Sequence, residues 1–532
     1  MIKLKPIAGL LALLSCTASA VADVSVPQFF SDNMVLQRGE AVPVWGKADP
    51  GEAVTVAFAG QSKKAEADKD GKWMVKLDAM DANAEGATLT VSGKNKLEIE
   101  NVLVGEVWIC SGQSNMQWTV SRSMNPDEEA AAAKYPKIRM YLTDLKTAAE
   151  RQDDASGTWY ECNPENAPNF SAVGYYFGRE LHKQLDIPVG LIRTAWGGTR
   201  SEAWTSPEAL AADPSAKELL AGWNELQKNY DAAKAKEQYE AAVKRWEEQV
   251  AKIKEFNKTA QNKKRLPRKP QLRSEPRVDR HHPSAIYNAM IAPFEGFGIR
   301  GAIWYQGESN RQRAAQYRDI FPTMIEDWRA RWNKEFPFYF VQLANFLEAS
   351  TEPGVPDSWA ELQEAQFLTL KRLPHTGMAV ANDIGAAKDI HPKNKQEVGR
   401  RLALWALAND YGKKDLVHSG PLYSGHEIQG SKVKISFDHV GKGLKSRDGG
   451  DLKRFEIAGE DKKWHWADAK IDGDSVIVSS ADVTKPVAVR YAWAANPTGA
   501  NLVNSDDLPA SLFRTDDWPG LTDDVMTPFA PK

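Results

Sequence analysis

The segment VWICSGQSNMQW, residues 107–118, joins an apolar run to a cluster of small and amide side chains. The apolar part is typical of a buried strand, and Ser114 lies just beyond its end. Ligands bind at the carboxyl ends of the strands of an open α/β sheet, so a serine at this position can face a crevice. Ser111 and Gly112 permit a tight turn and leave backbone amides free to face an anion. Ser114 is therefore a candidate nucleophile.

Further apolar runs follow along the chain, and helical patterns separate several of them. The strand-like runs are PVGLIRTAW, GIRGAIWYQ, FPFYFVQLA and GMAVAND, and the helical stretches include VGYYFGRELHKQLD and AQYRDIFPTMIEDWRARW. This alternation is typical of a parallel sheet wrapped by helices. We predict a three-layer α/β domain over residues 105–412. A stretch rich in Lys, Glu, Gln and Ala predicts a helical insertion within it, at residues 207–275.

Two β-rich parts flank this domain. Short alternating runs and turn sequences predict a sandwich-like β module over residues 24–104. Short strands return after Gly412, so residues 413–532 are predicted to form a second β-rich module.

The N-terminus has the features of an export signal. Residues 1–22 contain two lysines, an apolar run and small residues at their end, which predicts a cleaved signal peptide and a secreted or periplasmic protein. Lipidation at Cys16 is the alternative, although Leu14 is bulky for such a signal. No other apolar run is long enough to span a membrane. Export permits a disulfide between Cys110 and Cys162 without requiring one.

Composition excludes several classes of partner. The chain has 532 residues, 42% of them hydrophobic, and a formal net charge of -3. This length accommodates two or three domains. The near-neutral charge gives no electrostatic footprint for nucleic acid or an anionic membrane. Its histidines and cysteines are not arranged at metal-ligand spacings, so neither a metal nor another cofactor is expected.

A serine nucleophile needs a base, and the chain has nine histidines from which to draw it. His391 is the best candidate, because it lies in a polar turn two residues after Asp389. An aspartate so close can accept the Nδ1 hydrogen and hold Nε2 toward the serine. His281 and His282 adjoin the insertion, and we interpret them as loop residues that line the site.

Two more strand ends carry polar residues. RTAWGGTRSEAW places Gly197 and Gly198 after a strand, where a bare backbone N–H can approach an oxyanion. IWYQGESN places Gln306, Glu308 and Asn310 after the next strand, which offers amide donors beside a carboxylate. With the serine and histidine turns, these make four polar loops on one edge of one sheet.

The blocks GQSNM, WGGTRSEAW, WYQGESN and DIHPKNKQEVGRRLAL, in this order, resemble the SGNH (GDSL-like) hydrolase superfamily and, within it, the bacterial sialate O-acetylesterase-like family. The resemblance implies a flavodoxin-like SGNH fold over residues 105–412, and the flanking β modules fit the layout of that family. It also implies that Ser114 is the nucleophile, Gly197 or Gly198 an oxyanion donor and His391 the base.

The chain departs from the superfamily pattern in two blocks. The third block usually reads Gly-x-Asn, so the side-chain oxyanion donor is Gln306 or Asn310, and we favour Gln306. The last block usually has Asp three residues before His, where this chain has Lys388. We take Asp389 as the orienter of the histidine, with Glu308 and Asp383 as alternatives.

The implied activity is removal of O-acetyl groups from sugars through an acyl-enzyme, without metal or cofactor. The predicted substrate is an acetylated sialic acid or another O-acetylated glycan, such as a xylan fragment. Loop residues that could bind the sugar are Gln113, Asn115, Trp196, Glu308 and Asn310.

Other functions fit the sequence less well. Met116 replaces the second glycine of a Gly-x-Ser-x-Gly elbow, which excludes an α/β-hydrolase nucleophile. A glycosidase built on Glu308 and Asp389 would leave the serine turn unexplained. The two β modules and 18 tryptophans also allow a non-catalytic glycan-binding protein. The sequence leaves the oligomeric state open.

Overall fold

The computed structural model describes residues 23–272 and 274–529, so the expected signal peptide and the lipidation alternative at Cys16 lie outside the described residues. The first part of the described chain is made of strands. These are β1 (Val35–Gln37), β2 (Val42–Lys47), β3 (Ala53–Phe58), β4 (Gln61–Glu66), β5 (Lys72–Leu77), β6 (Asn83–Ser92) and β7 (Lys96–Gly112). In β5, Trp73, Val75 and Leu77 are buried and alternate with exposed residues, as the two-residue period of a half-buried strand requires.

Strand β7 is 17 residues long and belongs to two parts of the fold. Its first part pairs antiparallel with β6 from Lys96 to Val104, and its second part pairs with strands of the next sheet from Glu106 to Gly112. The boundary expected at residues 104–105 therefore falls inside one continuous strand.

The middle of the chain alternates helices and strands. These are α1 (Ser114–Gln117), α2 (Pro126–Ala132), β8 (Tyr135–Thr143), β9 (Gly157–Cys162), α3 (Ala172–Leu185), β10 (Val189–Ala195), α4 (Pro207–Ala212), α5 (Lys217–Lys228), α6 (Ala232–Thr259), α7 (Ala285–Met290), β11 (Gly301–Tyr305), α8 (Ala314–Trp332), β12 (Phe338–Val341), α9 (Ser358–Arg372), β13 (Thr376–Ala379) and α10 (Lys395–Asn409).

The central sheet has the strand order β13-β12-β11-β7-β10-β8-β9. Neighbouring strands from β13 to β8 are parallel, whereas β9 pairs antiparallel with β8 at the edge. The mixed α/β class is thus confirmed, but the sheet is mixed where we expected a parallel one. The difference arises because β9 follows β8 without a crossover helix, and such a connection gives an antiparallel neighbour.

Helices pack on both faces of this sheet. Trp108 of β7 contacts Phe177 of α3, with ring centroids 5.0 Å apart. Trp304 of β11 stacks on Phe321 of α8, with centroids 6.3 Å apart. The two tryptophans point to opposite faces, because Trp304 pairs with Ser111, three residues beyond Trp108. Helix α10 packs beside α3, and α9 packs beside α8.

Helices α4, α5 and α6 occupy the range where we expected the insertion. Trp223 of α5 is buried in a small apolar cluster with Ile320 of α8, which fixes α5 to the body of the protein. The segment that follows α6 covers part of the apolar stripe of that helix, which is half-buried. Nε1 of Trp246 donates a hydrogen bond of 2.9 Å to the carbonyl of Pro267 in this segment.

The last part of the described chain forms additional β sheets, as predicted. Its strands are β14 (Leu422–Gln429), β15 (Lys432–Asp438), β16 (Leu444–Ser446), β17 (Phe455–Ala458), β18 (Trp464–Trp466), β19 (Asp468–Asp472), β20 (Ser475–Ser479), β21 (Ala488–Tyr491), β22 (Leu502–Asn504) and β23 (Phe513–Arg514). They pair as β14-β15-β20-β19, β18-β17-β21-β23 and β16-β22.

Two further observations concern the cysteines and the helices of the described chain. Cys110 and Cys162 are both buried and unbonded in this structure, and burial raises the pKa of the Cys162 thiol to about 12. Among the described residues, no helix has both the length and the apolar character needed to cross a membrane.

Candidate active site

Three polar loops leave the central sheet at the same level. Gly112, at the end of β7, pairs with Ala195 at the end of β10 on one side and with Tyr305 at the end of β11 on the other. Chain order reverses at this point, because β10 and the later β11 lie on opposite sides of β7. Such a switch point opens a crevice at the carboxyl ends of the strands. Ser114 follows β7, the strand that lies between β10 and β11 at this switch point.

The turn before Ser114 requires a glycine. Gly112 has a φ of +133°, and a Cβ there would lie 2.3 Å from the carbonyl oxygen of Tyr305. The N–H of Gln113 then donates to that same oxygen at 2.9 Å, which fixes the direction of the chain. Ser114 is half-buried and begins α1.

The second-block glycines lie against the serine. A Cβ added at Gly197 would lie 3.2 Å from Cβ of Ser114. The N–H of Gly197 is already engaged, because it donates to Oε1 of Gln117 at 2.8 Å. Gly198, with a φ of +77°, donates its N–H to no other residue of the described chain. Of the two glycines that we expected as oxyanion donors, this arrangement leaves Gly198.

Gln306 does not have a free amide, contrary to the role we expected for it. Its Nε2 donates to the carbonyl of Thr199 at 3.2 Å and to Oδ1 of Asn310 at 2.6 Å, and its Oε1 accepts from the Tyr317 hydroxyl at 3.0 Å. The side chain is fully buried. A saturated amide inside the protein has no hydrogen left for an oxyanion, so Gln306 holds the loops together.

Asn310 continues this internal network. Its Oδ1 also accepts from the N–H of Ser201 at 3.1 Å, and its Nδ2 donates to Oε2 of Glu202 at 2.9 Å. Glu202 also pairs with Arg313, and both side chains are buried. These bonds join the loop after β10 to the loop after β11. Asn310 therefore faces other protein groups and not a sugar.

Gln113 is the buried amide that keeps a donor available. Its Oε1 accepts from the N–H of Ser309 at 3.2 Å, whereas its Nε2 bonds to no other residue of the described chain. Gln113 directly precedes the candidate nucleophile Ser114 in the sequence.

The turn that carries His391 follows a distant strand of the sheet, but it contacts the residues around Ser114. His391 follows β13, three strands away from β7, and two contacts bring it back. Nδ2 of Asn115 donates to the carbonyl of Ile390 at 3.0 Å, and the Trp118 ring stacks on the His391 ring with centroids 4.6 Å apart. The residues that flank Ser114 and His391 are thus in contact.

Asp389 is close to the imidazole but not hydrogen-bonded to it. Its Oδ1 lies 3.7 Å from Nδ1 of His391 and accepts the backbone N–H of His391 at 2.9 Å. Burial lowers the pKa of His391, and the charges of Lys395 and Arg122 lower it further while Asp389 opposes them. The imidazole is consequently neutral at neutral pH, as a general base requires.

The alternative orienter Asp383 is committed elsewhere. Its carboxylate binds Nη1 and Nη2 of Arg401 at 2.7 and 2.9 Å and Nη2 of Arg447 at 2.8 Å. These guanidinium partners hold its pKa below the ordinary range despite burial. Asp383 therefore fixes the loop between β13 and α10.

Comparison with known proteins identifies the family of this chain. Residues 104–258 and 277–408 match the family described as carbohydrate esterase, sialic acid-specific acetylesterase. The chain belongs to this family. The predicted resemblance to the sialate O-acetylesterase-like family is confirmed, and so is the class of carboxylic ester hydrolase.

The relatives of this acetylesterase family member include mammalian proteins and a solved bacterial structure. Sialate O-acetylesterase of Mus musculus is 31% identical, over 92% of this chain and 94% of the mouse protein. Sialate O-acetylesterase of Homo sapiens is 30% identical, over 92% of this chain and 93% of the human protein. The crystal structure of a carbohydrate acetylesterase from Xanthomonas citri is 36% identical, with a TM-score of 0.77, and covers 93% of this chain and 100% of its own.

One buried group of this acetylesterase family member was not expected from the sequence. Nζ of Lys395 is buried and donates to Oδ1 of Asn115, whose Nδ2 donates to Oε1 of Glu308. Burial lowers the pKa of Lys395 to about 7, although the carboxylates of Glu308 and Asp389 oppose the shift. Burial also raises the pKa of Glu308, whose Oε2 is buried without a partner.

The network of Lys395, Asn115 and Glu308 connects the first, third and fourth blocks behind the serine. The sequence does indicate that Lys395 is buried, because this lysine lies on the same helical stripe as the buried Val398 and Leu402. A lysine on an apolar stripe needs a polar partner inside the protein.

The remaining predicted residues are placed as follows. Trp196 is half-buried, and its backbone N–H donates to the carbonyl of Gly112 at 3.0 Å. His282 packs edge-on against Trp223, and His281 lies beside Arg280 with Nε2 accepting from Nε at 3.4 Å. In the part of the chain that the structure describes, no group of three or more His, Cys, Asp or Glu side chains could hold a metal ion.

Proposed function

We propose that this chain is a sialate O-acetylesterase that works through an acyl-enzyme on Ser114. The contact of Asn115 and Trp118 with the Ile390–His391 turn is the observation that carries the proposal, because it joins the candidate nucleophile to the candidate base. The family match and the names of the mammalian relatives support the substrate.

In the proposed reaction, Oγ of Ser114 attacks the acetyl carbonyl while Nε2 of His391 takes its proton. The bond between the acetyl carbon and the sugar oxygen then breaks, and that oxygen receives the proton from His391. Water attacks the acetyl-serine in the same way and releases acetate. In the described structure the Ser114 hydroxyl has no hydrogen bond with His391, so the two side chains close on each other when substrate binds.

Two backbone donors are available for the tetrahedral oxyanion. The N–H groups of Ser114 and Gly198 bond to no other residue of the described chain. Each donor of this kind contributes about 3 kcal/mol to the stabilisation of an acyl-transfer transition state. We include Nε2 of Gln113, on the residue before Ser114, as a third donor. Asp389 orients His391 once their 3.7 Å separation shortens to a hydrogen bond.

The same proposal includes the finer assignments from the sequence. We assign residues 105–412 to an SGNH hydrolase domain with the insertion at 207–275, flanked by β modules over 24–104 and 413–532. We also propose that residues 1–22 are removed on export to the periplasm or the medium. A neutral acetylated oligosaccharide is the second candidate substrate, because the name of the Xanthomonas citri relative specifies a carbohydrate acetylesterase and not a sialic acid.

The test is detection of the acyl-enzyme. Rapid quenching of the enzyme with para-nitrophenyl acetate should give a protein heavier by one acetyl group, carried by the peptide that contains Ser114. Ser114→Ala should abolish the adduct, whereas the control Ser121→Ala, at an exposed serine on the same segment, should retain it. An adduct on another residue, or hydrolysis without Ser114, would reject the mechanism.

A further inference from the structure

A cluster of cationic side chains lies at the glycine turn beside the nucleophile. Nη1 of Arg280 lies 3.5 Å from the carbonyl oxygen of Gly197, and a Cβ at Gly198 would be 3.8 Å from its Nη2. His281 follows Arg280 and accepts from its Nε at 3.4 Å. Burial lowers the pKa of His281, and the positive charge of Arg200 lowers it further.

The two arginines form no close ion pair in the described chain. Neither Arg200 nor Arg280 forms an ion pair with a described carboxylate, and the Arg200 guanidinium makes no hydrogen bond there. Arg200 is half-buried, and burial lowers its pKa although the charges of Glu202 and Asp279 oppose the shift. A partly desolvated guanidinium without a hydrogen-bonded anion is unfavourable, because it has lost water without gaining a hydrogen bond in exchange. Nδ1 of His281 is likewise buried without a partner.

The nearby carboxylates have their hydrogen bonds with other groups. Glu202 is fully buried and bonds to Arg313 and to Nδ2 of Asn310. Oδ1 of Asp279 accepts the backbone N–H of His281 at 2.8 Å. The cluster therefore has donors directed at no group of the described protein.

We propose that Arg200 and Arg280 bind the carboxylate of an O-acetylated sialic acid while its acetyl group reaches Ser114. A guanidinium presents a planar fork that matches a carboxylate, and Arg280 can supply it from an exposed position. This inference rests on the proposed function and assigns the substrate group that distinguishes a sialic acid from a neutral sugar. The carboxylate would lie across the Gly197–Gly198 turn from the serine hydroxyl.

The experiment compares acetate release from O-acetylated N-acetylneuraminic acid and from the methyl ester of the same sugar, which has no charge. The wild type should show a kcat/KM about tenfold or more higher for the acid. Arg280→Gln should reduce that preference toward one, and so should Arg200→Gln. Arg280→Gln is the decisive variant because the side chain is exposed and its loss should not prevent folding. The matched control Arg245→Gln, on the exposed face of α6, should keep the wild-type preference.

The outcomes separate this inference from the proposed function. If the wild type hydrolyses acid and methyl ester equally well, or if Arg280→Gln keeps the full preference for the acid, the carboxylate subsite is wrong and the esterase assignment stands. If the wild type hydrolyses neither sugar nor para-nitrophenyl acetate, the proposed function fails and the subsite fails with it.

Discussion

Nδ2 of Asn115 donates a 3.0 Å hydrogen bond to the carbonyl of Ile390, so the residue after the candidate nucleophile holds the residue before the candidate base. The two lie 275 residues apart in sequence. His391 follows an edge strand of the sheet, and its position therefore depends on this bond and on the Trp118 stack.

The first prediction concerns this pairing. Ser114→Ala and His391→Ala should each lower kcat by about a thousandfold or more, and the double variant should be little worse than either, because both act in one proton transfer. Initial rates with para-nitrophenyl acetate measure the effect, and circular dichroism checks folding. Additive losses in the double variant would show that the two residues act separately.

The second prediction distinguishes the two aspartates of the fourth block. Asp389→Asn should reduce kcat by about a hundredfold or less, since the carboxylate only orients the imidazole. Asp383→Asn should instead lower the free energy of unfolding by about 3 kcal/mol, because it leaves Arg401 and Arg447 without their buried partner. Urea denaturation and kcat per folded enzyme measure the two effects. Loss of activity in Glu308→Gln with a silent Asp389→Asn would assign the orienting role to Glu308.

The third prediction concerns Gln306. Gln306→Leu should reduce stability by about 2 kcal/mol or more, because it leaves the partners of the amide buried and unpaired. The kcat of the folded fraction should fall by less than about tenfold, whereas loss of an oxyanion donor costs about a hundredfold or more. Thermal unfolding combined with kinetics at low temperature separates the effects. A folded variant with a hundredfold lower kcat would restore Gln306 to the oxyanion site.

The fourth prediction concerns pH. A general base must be neutral, so kcat/KM should rise with pH through the pKa of His391, which burial places below its ordinary value of about 6.5. Arg122 lies over the Trp118 ring at 4.1 Å and its charge lowers this pKa. Arg122→Gln should therefore move the acid limb of the profile to higher pH, while Arg245→Gln should leave it in place. An unmoved limb in Arg122→Gln would mean that another group controls it.

The fifth prediction concerns the insertion. Replacement of residues 232–272 by a short Gly/Ser linker removes α6 and the segment that covers it but keeps α5, which packs on the body of the protein. Hydrolysis of para-nitrophenyl acetate should persist, and discrimination among acetylated glycans should weaken. A folded deletion variant without activity on this ester would show that the removed part supports the catalytic centre.

The sequence predicted the positions of the strand ends more reliably than it predicted which side-chain amide has a free N–H for the oxyanion. Ser114, Gly198 and His391 could be placed because small residues and polar turns follow apolar runs, and parallel strands bring such turns to one edge. Which amide keeps a free hydrogen depends on partners distant in sequence. The two amide hydrogens of Gln306 go to Thr199 and Asn310, and no local pattern reveals the bond to Thr199, 107 residues earlier.

The packing of α10 and the connection after β8 explain why the sequence missed the Lys395 network and the direction of β9. Burial of Lys395 depends on how α10 packs, and its partner Asn115 lies 280 residues earlier. Strand β9 lies antiparallel because the connection after β8 contains no helix, which an alternation of apolar runs does not disclose.

Strand β7 also determines how the protein folds. One uninterrupted segment, Lys96–Gly112, completes the N-terminal sheet at one end and delivers the serine turn at the other. The two sheets therefore cannot lose structure independently, since separating them would leave one of them with an open ladder of backbone groups along a missing strand. Melting of the N-terminal strands should coincide with loss of the catalytic crevice in a single cooperative transition.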